Sequence, residues 1–158
     1  HMGATTIIDI HRSQLRLDLA RKFNADHYFL SDRHVEEKVK EVTDGEGADV
    51  VMVTCASPEA QEQALLLARH RARINFFGGL PSGARNISIS SNLIHYQECM
   101  VLGSHGSLPR HHQKALRVME KGMVNPAEYI THRFPLEEIQ EAFRVAESHE
   151  GLKVVVNP

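Results

Sequence analysis

Short apolar runs alternate with helix-patterned segments along this chain, and that alternation restricts its fold more than any other feature. In the helical segments apolar residues recur every three or four positions, whereas the strand runs are short and mostly apolar. The pattern predicts strands over 5–10, 27–30, 49–53, 73–77, 100–103, 130–134 and 153–156, with helices over 14–23, 35–43, 58–68, 109–121 and from 135. Repeated strand–helix units predict an α/β domain with a mostly parallel sheet.

The run Asp49 to Val53 (Asp-Val-Val-Met-Val) is a near-continuous apolar strand. A near-continuous apolar run is typical of a parallel strand that is covered on both faces, so this strand is predicted to be buried on both sides. Ser57-Pro58 follows it and predicts a helix start, because proline is favoured at the first helical position.

The size and charge of the chain exclude several classes of protein. A chain of 158 residues predicts one domain over 3–158, with His1-Met2 as a cloning remnant. A formal net charge of −2 lacks the basic surplus of a nucleic-acid binder, and no apolar run approaches the roughly 20 residues that span a membrane. Two isolated cysteines, Cys55 and Cys99, predict free thiols and a cytoplasmic location.

Several short segments, weak singly but specific in their order, resemble one enzyme family. They are Gly3-Ala4, Arg16 to Ala20, Asn24 to Asp26, Gly47 to Val51, Ile74 to Gly79, Ser91 to Tyr96, Gly103 to Gly106, His132 to Phe143 and Lys153 to Val156. The sequence resembles the nucleotide-binding half of zinc-dependent medium-chain alcohol and polyol dehydrogenases, especially the sorbitol and threonine dehydrogenase-like members. The resemblance implies a Rossmann-like, doubly wound, mostly parallel sheet.

Two parts of that family's pattern do not occur in these 158 residues. The glycine-rich G-x-G-x-x-G turn after the first strand is absent, and so is the zinc-bearing catalytic domain. We therefore expect a fold that is incomplete at the N-terminus, with zinc only in the absent domain and no turnover by this chain alone. Whether the shortening is natural stays open.

Loss of the first strand has a structural cost, because that strand is central in the doubly wound order and its deletion leaves two open strand edges. Three outcomes are open: the two flanking strands pair directly, another copy of the chain supplies the pairing, or the amino-terminal segment rearranges. We expect a homo-oligomer on this basis.

The resemblance places the adenosine end of a nicotinamide dinucleotide after the first predicted strand. In NAD-using relatives a carboxylate stands there, whereas this chain has His11-Arg12-Ser13, with Arg16 a possible second contact. Arginine donors favour a 2′-phosphate, so NADP is slightly preferred over NAD. The alternative is that Arg12 is an exposed turn residue.

Further cofactor contacts are implied by the resemblance at the ends of later strands, where open parallel sheets bind ligands. These candidates are Thr54, Cys55, Ala56, Phe77, Gly78 and Gly79, with Lys153 near the pyrophosphate. The alternatives are that the two glycines only turn the chain and that Lys153 is an exposed strand-start lysine.

Neither a metal site nor a catalytic nucleophile is predicted. His111 and His112 are adjacent on a predicted helix and point about 100° apart, and neither they nor His105 are joined by carboxylates or cysteines at ligand spacing. No G-x-S-x-G motif occurs.

Two functions therefore remain for the chain. The first is the cofactor-binding domain of an oxidoreductase acting on a polyol or other secondary alcohol. The second is a non-catalytic relative that serves as a binding or oligomerisation module.

Overall fold

The structure is a computed structural model that describes residues 3–83 and 86–158. The described residues form two compact units, one ending at Gly106 and the other running from Ser107 to Pro158. One domain over 3–158 stays a prediction.

The first unit alternates strands and helices, as predicted. Its elements are β1 (Ile8–His11), α1 (Gln14–Ala20), β2 (His27–Leu30), α2 (Val35–Glu41), β3 (Ala48–Val53), α3 (Pro58–Leu67), β4 (Ala68–Phe76), α4 (Ser91–Tyr96) and β5 (Met100–Gly103). A 3-10 turn, Arg21–Phe23, continues α1 to the end of the predicted helix. The short helix α4 was not predicted from the sequence.

The strands of this unit form two separate parallel groups. β1 pairs with β2, and β3, β4 and β5 pair in that order. Within the described residues β1 and β3 are not paired with each other, so the predicted possibility that the two flanking strands pair directly is not realised. Each of these two strands has one edge without a strand partner in the described chain.

Helix α3 supplies most of the packing that holds the first unit together. Ala64 and Leu65 lie in one buried cluster with Val53, Ala72 and Ile74 of the three-stranded sheet. Leu67 joins a second cluster with Val35 and Val39 of α2, against which Ile8 and Ile10 of β1 pack. The two strand groups are therefore joined through helices rather than through backbone hydrogen bonds.

The prediction that β3 is covered on both faces is wrong. Val51 and Val53 face the buried cluster, but Val50 and Met52 are 53% and 58% exposed. The register aligns these two with Met100 and Leu102 of β5, which are similarly exposed. An apolar composition cannot distinguish a strand with two covered faces from one whose second face is open.

A bulge interrupts the pairing of β4 with β3. Ala48 pairs with Ala68, but the next pair is Val50 with Arg73, so β4 advances further than β3 over this interval. Arg71 lies within the bulge at φ 62°. Two residues of the irregular segment 69–72 are held by contacts outside it. Arg69 forms ion pairs with Glu46 and Asp49. The Arg71 N–H donates to the Gln97 carbonyl at 2.7 Å.

The second unit contains α5 (Pro109–Glu120), β6 (Ile130–Pro135), α6 (Ile139–Ser148) and β7 (Lys153–Asn157), with β6 and β7 parallel. The helix predicted from Pro135 begins later, because Pro135 ends β6 and Leu136–Glu138 form a 3-10 turn. Ala142 and Val145 of α6 are buried. Across the two described ranges, no helix is long and apolar enough to cross a membrane.

Candidate functional site

The segment after β1 holds four of the predicted cofactor contacts at the start of α1. Ser13 caps this helix, and its Oγ accepts a hydrogen bond from the Arg16 N–H at 3.3 Å. The His11 Nε2 lies 3.1 Å from Asp9 Oδ1, and the His11 carbonyl accepts from the Ser31 N–H at 2.8 Å. The strand end is therefore fixed by backbone and capping bonds, while the side chains of Arg12 and Ser13 are exposed.

The segments after β3 and β4 cross in close contact. The N–H groups of Phe77 and Gly78 both donate to the Val53 carbonyl, at 3.0 and 2.8 Å. A Cβ atom built on Gly78 would lie 2.5 Å from the Cys55 carbonyl oxygen and 2.9 Å from the Thr54 carbonyl carbon. Gly78 thus has a packing reason to be glycine, independent of any ligand, whereas nothing lies within 4 Å of a Cβ at Gly79.

Ser57 organises the beginning of α3 and directly follows the predicted contacts Thr54, Cys55 and Ala56 in the chain. It is 2% exposed, and its Oγ accepts from the Ala60 N–H at 3.3 Å while its hydroxyl donates to Glu59 at 2.5 Å. These bonds hold the Glu59 carboxylate at the first turn of the helix. Sequence reasoning identified Ser57 only as a helix start and gave no signal for Glu59.

Gln61 was also missed, and it links α3 to the segment after β4. Its side chain is buried, and its Nε2 donates to the Gly78 carbonyl at 3.1 Å. A buried glutamine three positions after Pro58 carries no sequence signature, because its role depends on where β4 ends in space.

A polar bridge joins the ends of β1 and β2 to α3. The Ser31 hydroxyl donates to Gln63 Oε1 at 2.9 Å, and the Ser31 N–H bonds the His11 carbonyl. The strand-end segments that follow β1, β3 and β4 are therefore linked through one helix. Whether a ligand binds at these carboxyl ends of parallel strands stays a prediction.

Three charged residues near the predicted contacts at this edge of the first unit are Arg12, Arg16 and Glu59. Neither guanidinium forms a hydrogen bond or ion pair with another side chain of the described residues. The pKa of Glu59 lies below its ordinary value, chiefly because the Ser57 hydroxyl donates to its carboxylate, with a smaller contribution from the positive charge of Arg12. Arg12 is thus near a carboxylate without being directly paired to it.

The remaining candidates lie in other surroundings. Lys153 belongs to the second unit, where it begins β7 and its carbonyl accepts from the Thr131 hydroxyl at 3.2 Å. His111 Nδ1 accepts from the Leu108 N–H, and His112 Nε2 lies 2.8 Å from the Ser107 hydroxyl. In the part of the chain that the structure describes, no three metal-ligating side chains are grouped to hold one ion.

Two shallow cavities lie away from the strand ends. One of about 270 Å³ is bordered by the ion-paired residues Glu36, Lys40, Glu46 and Arg69 at the opposite end of β3. The other, of about 340 Å³, lies along α5 and is mostly apolar, with Ala115, Val118 and Met119 in its lining. Neither contains any of the predicted cofactor contacts.

Comparison with known proteins places this arrangement in a family. The family model described as zinc-binding dehydrogenase matches residues 1–121. The chain belongs to the zinc-binding dehydrogenase family. The predicted family and the Rossmann-like fold are confirmed.

Individual relatives agree with this membership of the zinc-binding dehydrogenases. The chain is similar to the sorbitol dehydrogenase of Bombyx mori, with 31% identity over 99% of this chain and 45% of the relative. It is also similar to the L-threonine 3-dehydrogenase of Pyrococcus furiosus, with 30% identity over 97% of this chain and 44% of the relative. A solved structure from Sinorhizobium meliloti 1021, described as a zinc-binding dehydrogenase bound to NADP, matches with a TM-score of 0.83 and 26% identity, over 99% of this chain and 46% of that one. The chain spans a little under half the length of these relatives.

The family implies both a nicotinamide dinucleotide and zinc, and the described residues fit only the first. Two guanidinium groups without side-chain partners stand at the strand end and match the chemistry of a phosphate. The fit of these two arginines concerns the phosphate on the adenosine half of the cofactor, and the 158 residues contain no G-x-G-x-x-G turn for the diphosphate. For zinc no donor set is assembled among the described residues, so no chemical step is assigned to that metal.

Proposed function

We propose that this chain is the nicotinamide cofactor-binding part of an oxidoreductase that acts on a polyol or another secondary alcohol. A bound cofactor supplies or accepts hydride, and the residues after β1, β3 and β4 orient its adenosine and nicotinamide ends. By itself the chain binds the cofactor without turnover. The proposal draws on the family membership and on the named activities of the sorbitol and threonine dehydrogenase relatives.

One observation carries the choice of cofactor. Arg12 is exposed at the end of β1 and is not neutralised by a direct ion pair in the described residues, so its guanidinium is available to a phosphate. NADP is preferred to NAD on this basis, with Arg16 as a second donor from the first turn of α1. The nearby Ser13 hydroxyl is used in part as the helix cap, so it adds less.

Calorimetric titration with NADPH and NADH tests the proposal. We expect NADPH to bind more tightly than NADH, and Arg12→Gln to weaken NADPH binding while leaving NADH binding nearly unchanged. Arg33→Gln is the matched control, since Arg33 is an exposed arginine whose Nε contacts His34 rather than the strand ends of β1 and β3. Absence of binding to both cofactors would refute the proposed function.

The second candidate is a module that assembles copies of the chain, and the divided sheet favours it. β1 and β3 each keep one edge without a strand partner, and the exposed Val50 and Met52 lie on β3. Unpaired strand edges pair readily with other chains. A second copy of the chain is the occupant that we infer, which makes the protein a homo-oligomer.

Sedimentation velocity over a range of protein concentrations separates the two candidates. An assembling module gives a concentration-dependent dimer or larger species, and Met52→Lys shifts it towards monomer. Glu41→Lys is a control that adds a lysine at an exposed helical position away from the strand edges. A monomer at every concentration would refute the assembly candidate and leave the cofactor candidate intact.

A further inference from the structure

Glu59 stands where it can influence the ligand that Arg12 selects, although its role is not apparent from the sequence. The hydroxyl of the buried Ser57 donates to the Glu59 carboxylate, which fixes this acid on the first turn of α3. The carboxylate of Glu59 is thus held in place by Ser57, the residue that caps α3.

The geometry of α3 directs Glu59 towards the end of β1. Residues four apart lie on the same face of a helix, so Glu59 and Gln63 share a face. Gln63 accepts from the Ser31 hydroxyl, and the Ser31 N–H bonds the carbonyl of His11, the residue before Arg12. The face that carries Glu59 is therefore the face that bonds Ser31, the residue that links α3 to the end of β1. The electrostatic influence of Arg12 on Glu59 agrees with this placement.

The two charges oppose each other with respect to a phosphate. Arg12 attracts a 2′-phosphate, and the Glu59 carboxylate weakens that attraction because its negative charge offsets part of the positive charge of the guanidinium. The hydroxyl of an unphosphorylated ribose carries no charge, so Glu59 leaves it largely unaffected or accepts a hydrogen bond from it.

We propose that Glu59 sets the preference of this site between 2′-phosphorylated and unphosphorylated adenosine by partly neutralising Arg12. Removal of the Glu59 charge frees the guanidinium and raises the affinity for the 2′-phosphate. The inference rests on the proposed cofactor-binding function, which it deepens by naming the residue that limits NADP preference.

Adenosine 2′,5′-bisphosphate and 5′-AMP are suitable probes, because both bind through the adenosine half and require neither the diphosphate turn nor turnover. For Glu59→Gln we expect the affinity for the bisphosphate to rise about three- to tenfold relative to 5′-AMP, as for removal of one surface charge near a phosphate. Glutamine keeps an oxygen that accepts the Ser57 hydrogen bond. Glu41→Gln, which removes an exposed carboxylate elsewhere, should leave the ratio unchanged.

The double variant Arg12→Gln/Glu59→Gln distinguishes this mechanism from a general change in fold. If Glu59 acts through Arg12, the gain from Glu59→Gln disappears in the Arg12→Gln background. An unchanged affinity ratio in Glu59→Gln, with both probes still bound, overturns the inference and leaves the proposed function standing. Failure of the unaltered chain to bind either probe or NADPH overturns both.

Discussion

The α-carbon of Gly78 lies so close to the Cys55 carbonyl that a Cβ atom at position 78 would approach that oxygen to 2.5 Å. Both partners are backbone, so neither can rotate away. Gly78→Ala should therefore destabilise the first unit by about 1–3 kcal/mol, the range for overpacking a closely packed position. Urea unfolding followed by circular dichroism measures the change.

The neighbouring glycine provides the control for this prediction. A Cβ on Gly79 meets nothing within 4 Å, so Gly79→Ala should change the free energy of unfolding by no more than about 0.5 kcal/mol. Equal effects of the two substitutions would contradict the close crossing of the segments after β3 and β4.

Ser57→Ala should destabilise the protein by about 1 kcal/mol, because it removes the side-chain cap of α3. Ser57 is buried and its Oγ accepts the Ala60 N–H. Ser90→Ala is the control: Ser90 precedes α4 in the same capping position, but its side chain makes no cap bond in the described structure. Thermal unfolding of the two variants should rank Ser57→Ala as clearly the less stable.

Thr43 closes the turn between α2 and β3 with a single hydroxyl. Its Oγ1 donates to the Val39 carbonyl at 2.7 Å and accepts from the Gly47 N–H at 2.9 Å. Thr43→Val keeps the shape but leaves both groups without a partner, which should cost about 1–3 kcal/mol. Thr43→Ser retains the hydroxyl and should recover most of the loss in chemical denaturation, and a failure to recover it would argue that the methyl group is what matters.

Asp32 should make the stability of the protein sensitive to acid. Lys38 donates to its carboxylate at 2.8 Å and the His34 N–H at 2.9 Å, and these bonds lower the pKa of Asp32 below its ordinary value. A lowered carboxyl pKa means that the stabilisation is complete above about pH 4, the ordinary aspartate value, and is lost as the pH falls through the lowered pKa.

Melting temperatures between pH 3 and pH 7 test this dependence. Asp32→Asn should melt below the unaltered protein at pH 7, and the difference should shrink as the solution becomes acidic. Glu41→Gln, at an exposed carboxylate on α2 with no hydrogen bond or ion pair in the described chain, should give parallel curves. A constant gap between Asp32→Asn and the unaltered protein at all pH values would count against the assignment.

The sequence predicted the order of strands and helices well wherever a short apolar run lies between polar breakers. β2 and β5 have the predicted bounds, and Val35, Pro58 and Pro109 begin the helices predicted to start at them. Helix α4 was not predicted, because it has only six residues and buries none of their side chains, so the sequence shows no helical pattern of apolar residues there. The prediction that β3 is buried on both faces was wrong, because an apolar sequence does not show whether another element packs against each face.

The candidate site was predictable only as a set of strand ends. The resemblance pointed to the segments around Arg12, Thr54 and Gly78, and their linkage through α3 is a property of the tertiary fold. Gln61 and Glu59 could not be found from the sequence, because their roles depend on distances between segments that lie far apart along the chain. The use of these residues by a cofactor stays a prediction.

The bulge between Ala68 and Arg73 gives β4 two regions with different tolerance of length change. Residues 73–76 pair regularly on both sides, so one added residue there would turn every following side chain to the other face of the sheet. At 69–71 the chain already departs from regular pairing, and a residue inserted there leaves Ala72 and residues 73–76 in place against α3. Evolution or an engineer can therefore lengthen this strand near its beginning, while Ile74 keeps its pairing with Val51 and its place in the buried cluster.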